Sequence, residues 1–413
     1  MGRKTGWQAA RKASQAAPRT YPLRLSIHII ADPLHVWRAF ALEGPYIKHN
    51  NNSGFVDESH RVTPQLFSHF TFQASQGELI VVDIQGVDDL YTDPQIHSRS
   101  GKYGEGNLGV RGMAHFFATY VPSPLAQRLG LPAFPMLPAV RARLTVSFSP
   151  NSTLGAATAV GTVASRPTVH VSEAAAVGAE RQPGEAFVAS MSDLTPLMAT
   201  QLDDAHETMQ GTHSVHFELA TLHAAGMAAC DDSLPDARAA LFHLCCAARG
   251  AAKGDLRACA ALRSLIDGSE WPQCPELSLA CDDDPEAARA LSGRLLRLMA
   301  ERGDRDAALE LAMVANTPAE EVRWLSLVAS AELDSDEDRE AAAYGNAQYQ
   351  VLERLALALL SAGEPGDAAR AAEVALEAAA GAMALGRAKA SLKLEALAEE
   401  AHSVADAEAE TTL

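Results

Sequence analysis

Long hydrophobic runs are missing from this 413-residue sequence. No stretch approaches the ~18 apolar residues that a membrane-spanning helix needs, so we expect a soluble protein with no membrane partner. Aromatic residues are also few, at 6% of the chain, but hydrophobic residues reach 47%, which is enough for buried cores. At about 150 residues per domain, the length predicts two or three domains.

Cysteine is missing from the first 229 residues of the chain. All six cysteines follow: Cys230, Cys245, Cys246, Cys259, Cys274 and Cys281. Their spacing fits no zinc pattern, and two of them are adjacent in an alanine-rich helical context. We interpret them as buried free thiols in a reducing compartment, which favours a cytoplasmic location.

Basic residues are scarce, with 34 Lys and Arg against 52 Asp and Glu. Residues 1–150 carry 15 basic and 10 acidic residues, so the acidic excess lies in residues 151–413. Because binding to nucleic acid phosphates needs clustered Lys and Arg, we expect no nucleic-acid partner. Residues 1–31 reverse the balance, with six basic residues and no acid. Three interpretations stay open for them: a basic disordered tail, which we favour, an organelle transit peptide, or a calmodulin-type target.

The first third of the chain combines strand-like and helix-like segments, as in an α+β fold. The segments "LRLSIHII" (23–30), "HFTFQ" (69–73) and "ELIVVDI" (78–84) are typical of strands. The segment "GVRGMAHFFATYV" (109–121) predicts a helix after a glycine-rich loop. Several prolines then interrupt the chain.

The rest of the chain separates into a linker and a helical region. Residues 139–193 are rich in small and polar residues and poor in aromatics, which predicts a flexible regulatory linker. Helical periodicity fills most of residues 194–413, and three segments read as a helix, a glycine turn and a second helix: 240–262, 294–312 and 356–379. This pattern predicts an all-α helical-hairpin solenoid, with a plain helical bundle as the alternative.

A glycine pattern between Val81 and Gly109 suggests nucleotide binding but fails as a dinucleotide motif. Gly104, Gly106 and Gly109 have the spacing of a dinucleotide-binding loop. Such a loop follows its strand directly and needs an acid about 20 residues later. Here a polar loop precedes the glycines, and the next acid after Glu105 is Glu173.

Carboxylates in the same segment are the better candidates for chemistry. Asp83 closes an apolar run, Gln85 follows two residues later and is expected on the same face by the period-2 rule, and Asp93 follows after a turn. Mg²⁺ prefers oxygen ligands and commonly takes one or two from protein and the rest from phosphates and water. The three residues therefore suit phosphoryl transfer, in which one carboxylate remains to orient the attacking hydroxyl.

At this point the sequence resembles a known family, the alpha-kinases. The resemblance rests on "TPQLFSHFTFQASQGELIVVDIQGVDDLYTDPQIHSRSGKYGEGNLGVRGMAHFF" (63–117), with "EGPYIKHNNNSGFV" (43–56) upstream. It implies an alpha-kinase C-lobe over residues 32–138, with the N-lobe largely missing. The helical region 194–413 is similar to the Sel1/TPR-like repeats that follow in that family.

The resemblance also implies roles for individual residues. Asp83 would be the catalytic aspartate that faces the substrate hydroxyl, and Gln85 and Asp93 would be the cofactor-binding magnesium ligands. A substrate-groove loop would be shaped by Gly104, Gly106, Asn107 and Gly109. A phosphothreonine pocket would be formed by Arg61 and Thr63.

The same resemblance implies a function. The chain would be an ATP-dependent protein serine/threonine kinase that uses ATP and Mg²⁺. Its helical repeats would recruit a protein substrate resembling elongation factor 2, in the control of translation elongation. Calmodulin is a further partner that the basic tail weakly suggests.

Three features depart from the family and support a rival hypothesis. None of Lys4, Lys12 and Lys48 is a plausible phosphate-holding lysine on an N-lobe strand. His69 matches a structural zinc ligand, but the three positions that should complete the zinc site are Tyr120, Pro122 and Ala126, so zinc is not expected. Asp88 stands where the family has glycine, and it is tolerable there at some cost if φ is positive. The alternative is a catalytically inactive kinase lobe whose helical repeats bind protein partners.

Overall fold

The structure, a computed structural model, describes most of the chain. The described residues are 29–30, 44–57, 61–88, 90–137, 140, 186–199, 209–228, 235–249, 254–330 and 347–412. The basic tail before residue 29, with its transit-peptide and calmodulin interpretations, lies outside them, as does the predicted linker from 141 to 185. The chain divides into two compact units, 1–288 (unit 1) and 289–413 (unit 2).

Among the described residues, short strands are found in unit 1 alone. They are β1 (Ile29–Ile30), β2 (Ile47–Lys48), β3 (Leu79–Val82), β4 (Gln85–Val87), β5 (Leu90–Thr92), β6 (Gln95–Ser98), β7 (Phe187–Ser190) and β8 (Leu277–Ala280). Its helices are α1 (Thr63–Ala74), α2 (Gly109–Thr119), α3 (Pro124–Arg128), α4 (Met191–Ala199), α5 (Gln210–Ala224), α6 (Ala237–Ala248) and α7 (Leu256–Ile266).

The regular structure of the described residues of unit 2 is helical. The helices are α8 (Pro285–Glu301, within which the division between the units falls), α9 (Arg305–Met313), α10 (Pro318–Ala329), α11 (Gln348–Ala362), α12 (Asp367–Ala384) and α13 (Ala388–Thr412). Among the described residues we find no helix with both the length and the apolar composition that crossing a bilayer requires.

Two small sheets organise the α+β part of unit 1. One has the strand order β1-β5-β4-β2, in which β4 and β5 form an antiparallel hairpin and β2 pairs antiparallel with β4. The other pairs β3 with β6 in antiparallel orientation, and all four residues of β3 are buried. The chain therefore leaves one sheet at the end of β3 and enters the other at the start of β4.

The strand predicted from "HFTFQ" (69–73) is wrong, because these residues lie in α1. Pro64 occupies the first turn of this helix, where a missing N–H costs nothing. Leu66, His69 and Phe72 are fully buried at three-residue spacing, which is the period of a helix face. A five-residue window is too short to distinguish that period from strand alternation.

The α+β part and the first long helices share one hydrophobic core. Phe117 of α2 stacks on Phe134 with ring centroids 4.2 Å apart, and Phe72 of α1 lies edge-on to Phe117. Val215 and Leu219 of α5 belong to the same buried cluster. Helix α5 thus completes the core of the α+β part, although the predicted linker separates the two in sequence.

The predicted linker boundary at residue 193 and the all-α prediction for residues 194–413 are both corrected in unit 1. Strand β7 lies inside the predicted linker and pairs in parallel with β8, which lies inside the predicted all-α region. Asp283, just beyond β8, accepts hydrogen bonds from the backbone N–H groups of Met191 and Ser192 at 3.0 Å. The two strands are about ninety residues apart in sequence, so local composition gave no indication of their pairing.

The three predicted helix–turn–helix segments are confirmed as α6–α7, α8–α9 and α11–α12. Gly303 (φ 91°) follows α8 and Gly363 (φ 64°) follows α11, both in the left-handed region that ends helices. Neighbouring helices from α9 to α13 pack on one another in chain order. Alanines such as Ala371, Ala375 and Ala378 are fully buried in α12, which lets its neighbours approach closely. The assignment to a particular repeat type stays a prediction.

Candidate functional site

Gln85, a predicted magnesium ligand, lies in one row of the four-stranded sheet with two residues of the neighbouring strands. Lys48 of β2 is the register partner of Gln85 of β4, and Gln85 is the partner of Thr92 of β5. Asp83 precedes Gln85 by two residues, and Asp93 follows Thr92 directly. Because register partners on adjacent strands lie about 5 Å apart, Lys48, Gln85 and the two aspartates occupy one end of the sheet.

Asp83 lies at the point where the chain passes from one sheet to the other. It follows β3, its φ is 59°, and its exposure is 7%. The Lys48 Nζ atom lies 2.8 Å from Asp83 Oδ1. The expectation that Asp83 and Gln85 share a face of one continuous strand is wrong, because the left-handed residue breaks the strand between them.

The crossover between the sheets is fixed by two hydrogen bonds of the Ile84 main chain, one to a side chain and one to the backbone. The Ile84 N–H donates to Asn50 Oδ1 at 3.0 Å, and the Ile84 carbonyl accepts from the His49 N–H at 2.9 Å. In the hairpin that follows, a Cβ on Gly86 would lie 1.9 Å from the Leu90 carbonyl oxygen, so only glycine fits. Asp83 is therefore held on rigid backbone.

Two further aspartates also have left-handed backbone. Asp88, which stands where the family has glycine, has φ 50°, so the condition under which we expected aspartate to be tolerable at some cost is met. Asp93 has φ 49° and follows β5. Aspartate tolerates this conformation better than most residues because its short polar side chain bonds locally.

The predicted magnesium ligands offer suitable atoms. Asp93 is exposed and Gln85 is half-buried, so a carboxylate and an amide side chain at this end of the sheet both reach solvent. In the described part of the chain, no three His, Cys, Asp or Glu side chains come close enough to hold a metal by themselves. The donor set fits a magnesium ion that takes its remaining oxygens from phosphates and water.

The predicted groove loop is anchored to β6 by its asparagine. Asn107 Oδ1 accepts from the Ser98 N–H at 2.9 Å and from the Gly109 N–H at 2.8 Å, and Asn107 Nδ2 donates to Ser98 Oγ at 2.9 Å. Gly104 (φ 89°) and Gly109 (φ 63°) adopt left-handed backbone. The glycines therefore shape a turn that precedes α2.

His97 of β6 is a buried neutral histidine beside this loop. Burial lowers the pKa of its imidazole to about 4, against an opposing contribution from the backbone of Asn52. His97 Nδ1 accepts the Leu108 N–H at 3.1 Å, so the neutral ring carries its proton on Nε2. The sequence prediction assigned no role to this histidine.

The predicted phosphothreonine pocket and the family's zinc positions have different outcomes. Arg61 and Thr63 are half-buried near the start of α1, and their proposed pocket stays a prediction.

His69 is fully buried, with Nδ1 3.3 Å from the Tyr120 hydroxyl and its ring edge-on to Phe117. His69 is therefore a histidine packed in the interior and not one on the surface.

Lys48 is the site residue that sequence reasoning missed. We excluded it as a lysine for the phosphates of ATP because it lies after the hinge segment. Its contact with Asp83 depends on the pairing of β2 with β4, and a two-residue strand leaves almost no periodic pattern in sequence. The prediction of buried thiols, in contrast, is confirmed for Cys245, Cys246, Cys259 and Cys274, which form no disulfide, whereas Cys281 is only half-buried.

The arrangement is a strand-end carboxylate on left-handed backbone, a lysine 2.8 Å away, and an amide and a second carboxylate at the same end of a sheet. All four residues lie within residues 38–125, the segment that matches the alpha-kinase family.

Individual relatives are similar over the same segment. Eukaryotic elongation factor 2 kinase of Mus musculus is 60% identical over 99 residues, which are 24% of this chain and 14% of the relative. Alpha-protein kinase 1 of Dictyostelium discoideum is 54% identical over 93 residues, 22% of this chain and 7% of the relative. The chain thus spans a small part of these relatives' length.

Solved structures also match this segment. A crystal structure of the alpha-kinase domain of myosin heavy chain kinase A in complex with ADP shares 50% sequence identity. The match covers 22% of the present chain and 37% of the kinase chain in that crystal structure, with a TM-score of 0.22.

Proposed function

We propose that the chain is an alpha-type protein serine/threonine kinase that transfers the γ-phosphate of ATP to a hydroxyl of a protein. The observation that supports this most is the convergence of Lys48, Asp83, Gln85 and Asp93 at one end of the sheet. This convergence lies within the segment that matches the alpha-kinase family.

In this proposal, Asp83 is the carboxylate that acts on the substrate hydroxyl. Its carboxylate is mostly buried at the end of β3, where it can orient the hydroxyl and accept its proton. Lys48 lies 2.8 Å away and keeps 45% of its side chain exposed. Its cation can therefore hold the carboxylate in place and also stabilise negative charge on the transferring phosphoryl group.

Gln85 and Asp93 are the residues that would hold magnesium. When bound, the ion neutralises charge on the phosphate oxygens and orients them. The two side chains approach from neighbouring strands, because Gln85 pairs with the residue before Asp93. The match of residues 38–125 to a family of kinases further supports nucleotide binding.

The finer parts of the proposal concern substrate and regulation. The relatives named for elongation factor 2 suggest that protein as a substrate, and hence a role in translation elongation in the cytoplasm. The helices of unit 2 would recruit it as Sel1/TPR-like repeats, Arg61 and Thr63 would bind a phosphothreonine, and calmodulin is a weaker candidate partner.

A second candidate function is a catalytically inactive lobe that serves as a partner-binding scaffold. A specific observation favours it: the family's zinc positions hold a buried contact between His69 and Tyr120, and Ala126 is fully buried against apolar residues. The lobe therefore packs without the ligands of the family's zinc site. This does not affect the row of residues at the end of the sheet.

Phosphotransfer to elongation factor 2 tests the proposal with the variant Asp83→Asn. Asparagine is preferable to alanine here because it tolerates the left-handed backbone, so the fold is kept while the carboxylate is lost. We expect Mg²⁺-dependent phosphotransfer to fall by about 10²- to 10⁴-fold, as for other general-base deletions. Asp88→Asn is the matched control, since it removes an exposed carboxylate from the same backbone conformation.

The outcomes separate the two candidates. A wild-type chain that phosphorylates elongation factor 2 while Asp83→Asn does not supports the kinase. Equal, background-level phosphotransfer in wild type and both variants contradicts it and leaves the scaffold, for which binding of elongation factor 2 without phosphotransfer is the expected result.

A further inference from the structure

Two residues of the segment that carries the family resemblance have no role in the site so far. Gln95 and His97 lie two residues apart on β6, so they face the same side of that strand. The predicted substrate-groove loop, Gly104–Gly109, returns along this side before α2 begins.

Three consecutive residues of the loop each contact β6. A Cβ on Gly106 would lie 2.9 Å from Gln95 Nε2, so this glycine packs directly on the glutamine side chain. Asn107 exchanges hydrogen bonds with Ser98 at 2.9 Å. The Leu108 N–H donates to His97 Nδ1 at 3.1 Å. The second half of the loop therefore contacts β6 through three successive residues.

His97 also determines how α2 approaches the strand. The ring is fully buried, and a Cβ on Gly112 would lie 2.3 Å from His97 Cδ2. The imidazole thus occupies the space that a side chain at position 112 would fill. The same ring accepts the N–H of Leu108, the residue that immediately precedes α2.

Strand β6 connects this loop to the catalytic candidate. Gln95 is the register partner of Val82, the residue immediately before Asp83, and His97 is the partner of Ile80. The loop therefore contacts β6, which pairs with the strand that ends immediately before Asp83. The position of the loop relative to Asp83 thus depends on the side chains of β6. Asn52 reinforces this arrangement by donating to Gln95 Oε1 at 2.8 Å.

We propose that His97 is a positioning residue for the protein substrate, because its Nδ1 atom fixes the groove loop and the start of α2 relative to Asp83. This inference rests on the kinase function proposed above. The burial that keeps the ring neutral also keeps Nδ1 available as an acceptor near pH 7.

The test uses the full chain with two substitutions, His97→Leu and His97→Asn. Leucine removes the acceptor, whereas the Oδ1 atom of asparagine can take the place of Nδ1. In His97→Leu we expect the Leu108 amide to exchange about tenfold faster, the value for one lost hydrogen bond. We also expect the KM for elongation factor 2 to rise about tenfold while the KM for ATP changes by less than about twofold.

Rescue and failure are distinguishable. His97→Asn should restore both Leu108 protection and the KM for elongation factor 2, which a merely space-filling role of the ring would not do. Equal exchange at Leu108 in all three proteins, or a parallel rise of both KM values, would overturn the proposal. So would lost protection at Leu108 without a change in KM.

A wild-type chain that transfers no phosphate contradicts the proposed function rather than the role of His97 alone. In that case the affinity for elongation factor 2, measured by calorimetry, decides the matter. An affinity for elongation factor 2 that falls in His97→Leu and returns to the wild-type value in His97→Asn supports the positioning role. The absence of binding, or an affinity that does not depend on residue 97, overturns it.

Discussion

At the scale of single residues, backbone conformation determines where the acidic groups point. Asp83, Asp88 and Asp93 all have φ between 49° and 59°, a region that costs most non-glycine residues on the order of 1–3 kcal/mol. Asp83 and Asp93 each follow the last residue of a strand. A left-handed residue at that point ends the regular strand, so each of these two aspartates lies at the end of a strand.

The contact between Lys48 and Asp83 leads to a prediction that separates activity from stability. The change Lys48→Met keeps the apolar stem and removes the charge. Because Lys48 is 45% exposed, we expect the free energy of unfolding to change by less than about 1 kcal/mol. Phosphotransfer should fall by about tenfold or more, because a cation beside the reacting groups is lost.

Urea unfolding and kinase assays of the same preparation check this prediction. Lys393→Met is the matched control, since that lysine forms a similar exposed pair with Glu353 at 2.6 Å in unit 2. A loss of stability as large as the loss of activity in Lys48→Met would contradict the assignment of Lys48 to the site.

At the scale of elements, close backbone contact between two glycines joins α5 to the α+β part. Gly77 lies in the turn between α1 and β3, and Gly211 lies in the first turn of α5. A Cβ on Gly211 would lie 2.2 Å from the Gly77 carbonyl oxygen. Two main chains approach each other there, and neither can shift as the end of a side chain could.

The substitution Gly211→Ala should therefore destabilise unit 1, although alanine is the better helix former. We expect a loss of about 1–3 kcal/mol, the usual result of overpacking a close contact. The matched control is Gly293→Ala in α8, where the added Cβ meets open space, so a gain of about 0.5–1 kcal/mol is expected. Denaturant unfolding of both variants measures the difference, and a stabilised Gly211→Ala would refute the close approach.

At the scale of the whole molecule, buried histidines distinguish the two units. His216 of α5 and His243 of α6 are fully buried, with their Nδ1 atoms 2.7 Å apart, and the ring of His223 stacks on His243. The pKa of His243 lies well below 6.5, first because of burial and then because of His223. Beyond residue 288 the sequence has one histidine, His402.

Acidification should therefore destabilise unit 1 before unit 2. A histidine that is neutral when folded takes up a proton near pH 6.5 when unfolded, so the unfolded state binds more protons below that pH. Its stabilisation is present above pH 6.5 and falls by about 1.4 kcal/mol per pH unit below it. Between pH 7 and 5.5 most carboxylates stay ionised, so the charges of unit 2 change little.

Hydrogen exchange at pH 7.0, 6.0 and 5.5, corrected for intrinsic rates, checks this prediction. Amides of α5 and α6 should lose protection over this range, while amides of α12 and α13 serve as the internal reference. Equal losses in both units would contradict the argument from buried histidines.

Much of the fold was predictable where a pattern is local and long. The buried run at β3, the helix α2 and the helix–glycine–helix segments could all be predicted because burial repeats along the chain with one period. The errors have two physical causes. The α1 error arose because five residues are too few to distinguish the helical period from strand alternation. Strands β7 and β8 depend on partners distant in sequence, which no local pattern contains.

The sequence by itself determined which residue types carry the chemistry: a carboxylate that ends a buried strand, an amide two residues later and a second carboxylate after a turn. Only the tertiary structure decided that Asp83 turns out of its strand on left-handed backbone, that Lys48 lies beside it, and that β6 connects the groove loop to the same strand. The reason is physical. Residue types are written in the chain, whereas a distance of 2.8 Å between Lys48 and Asp83 exists only after strands distant in sequence have paired.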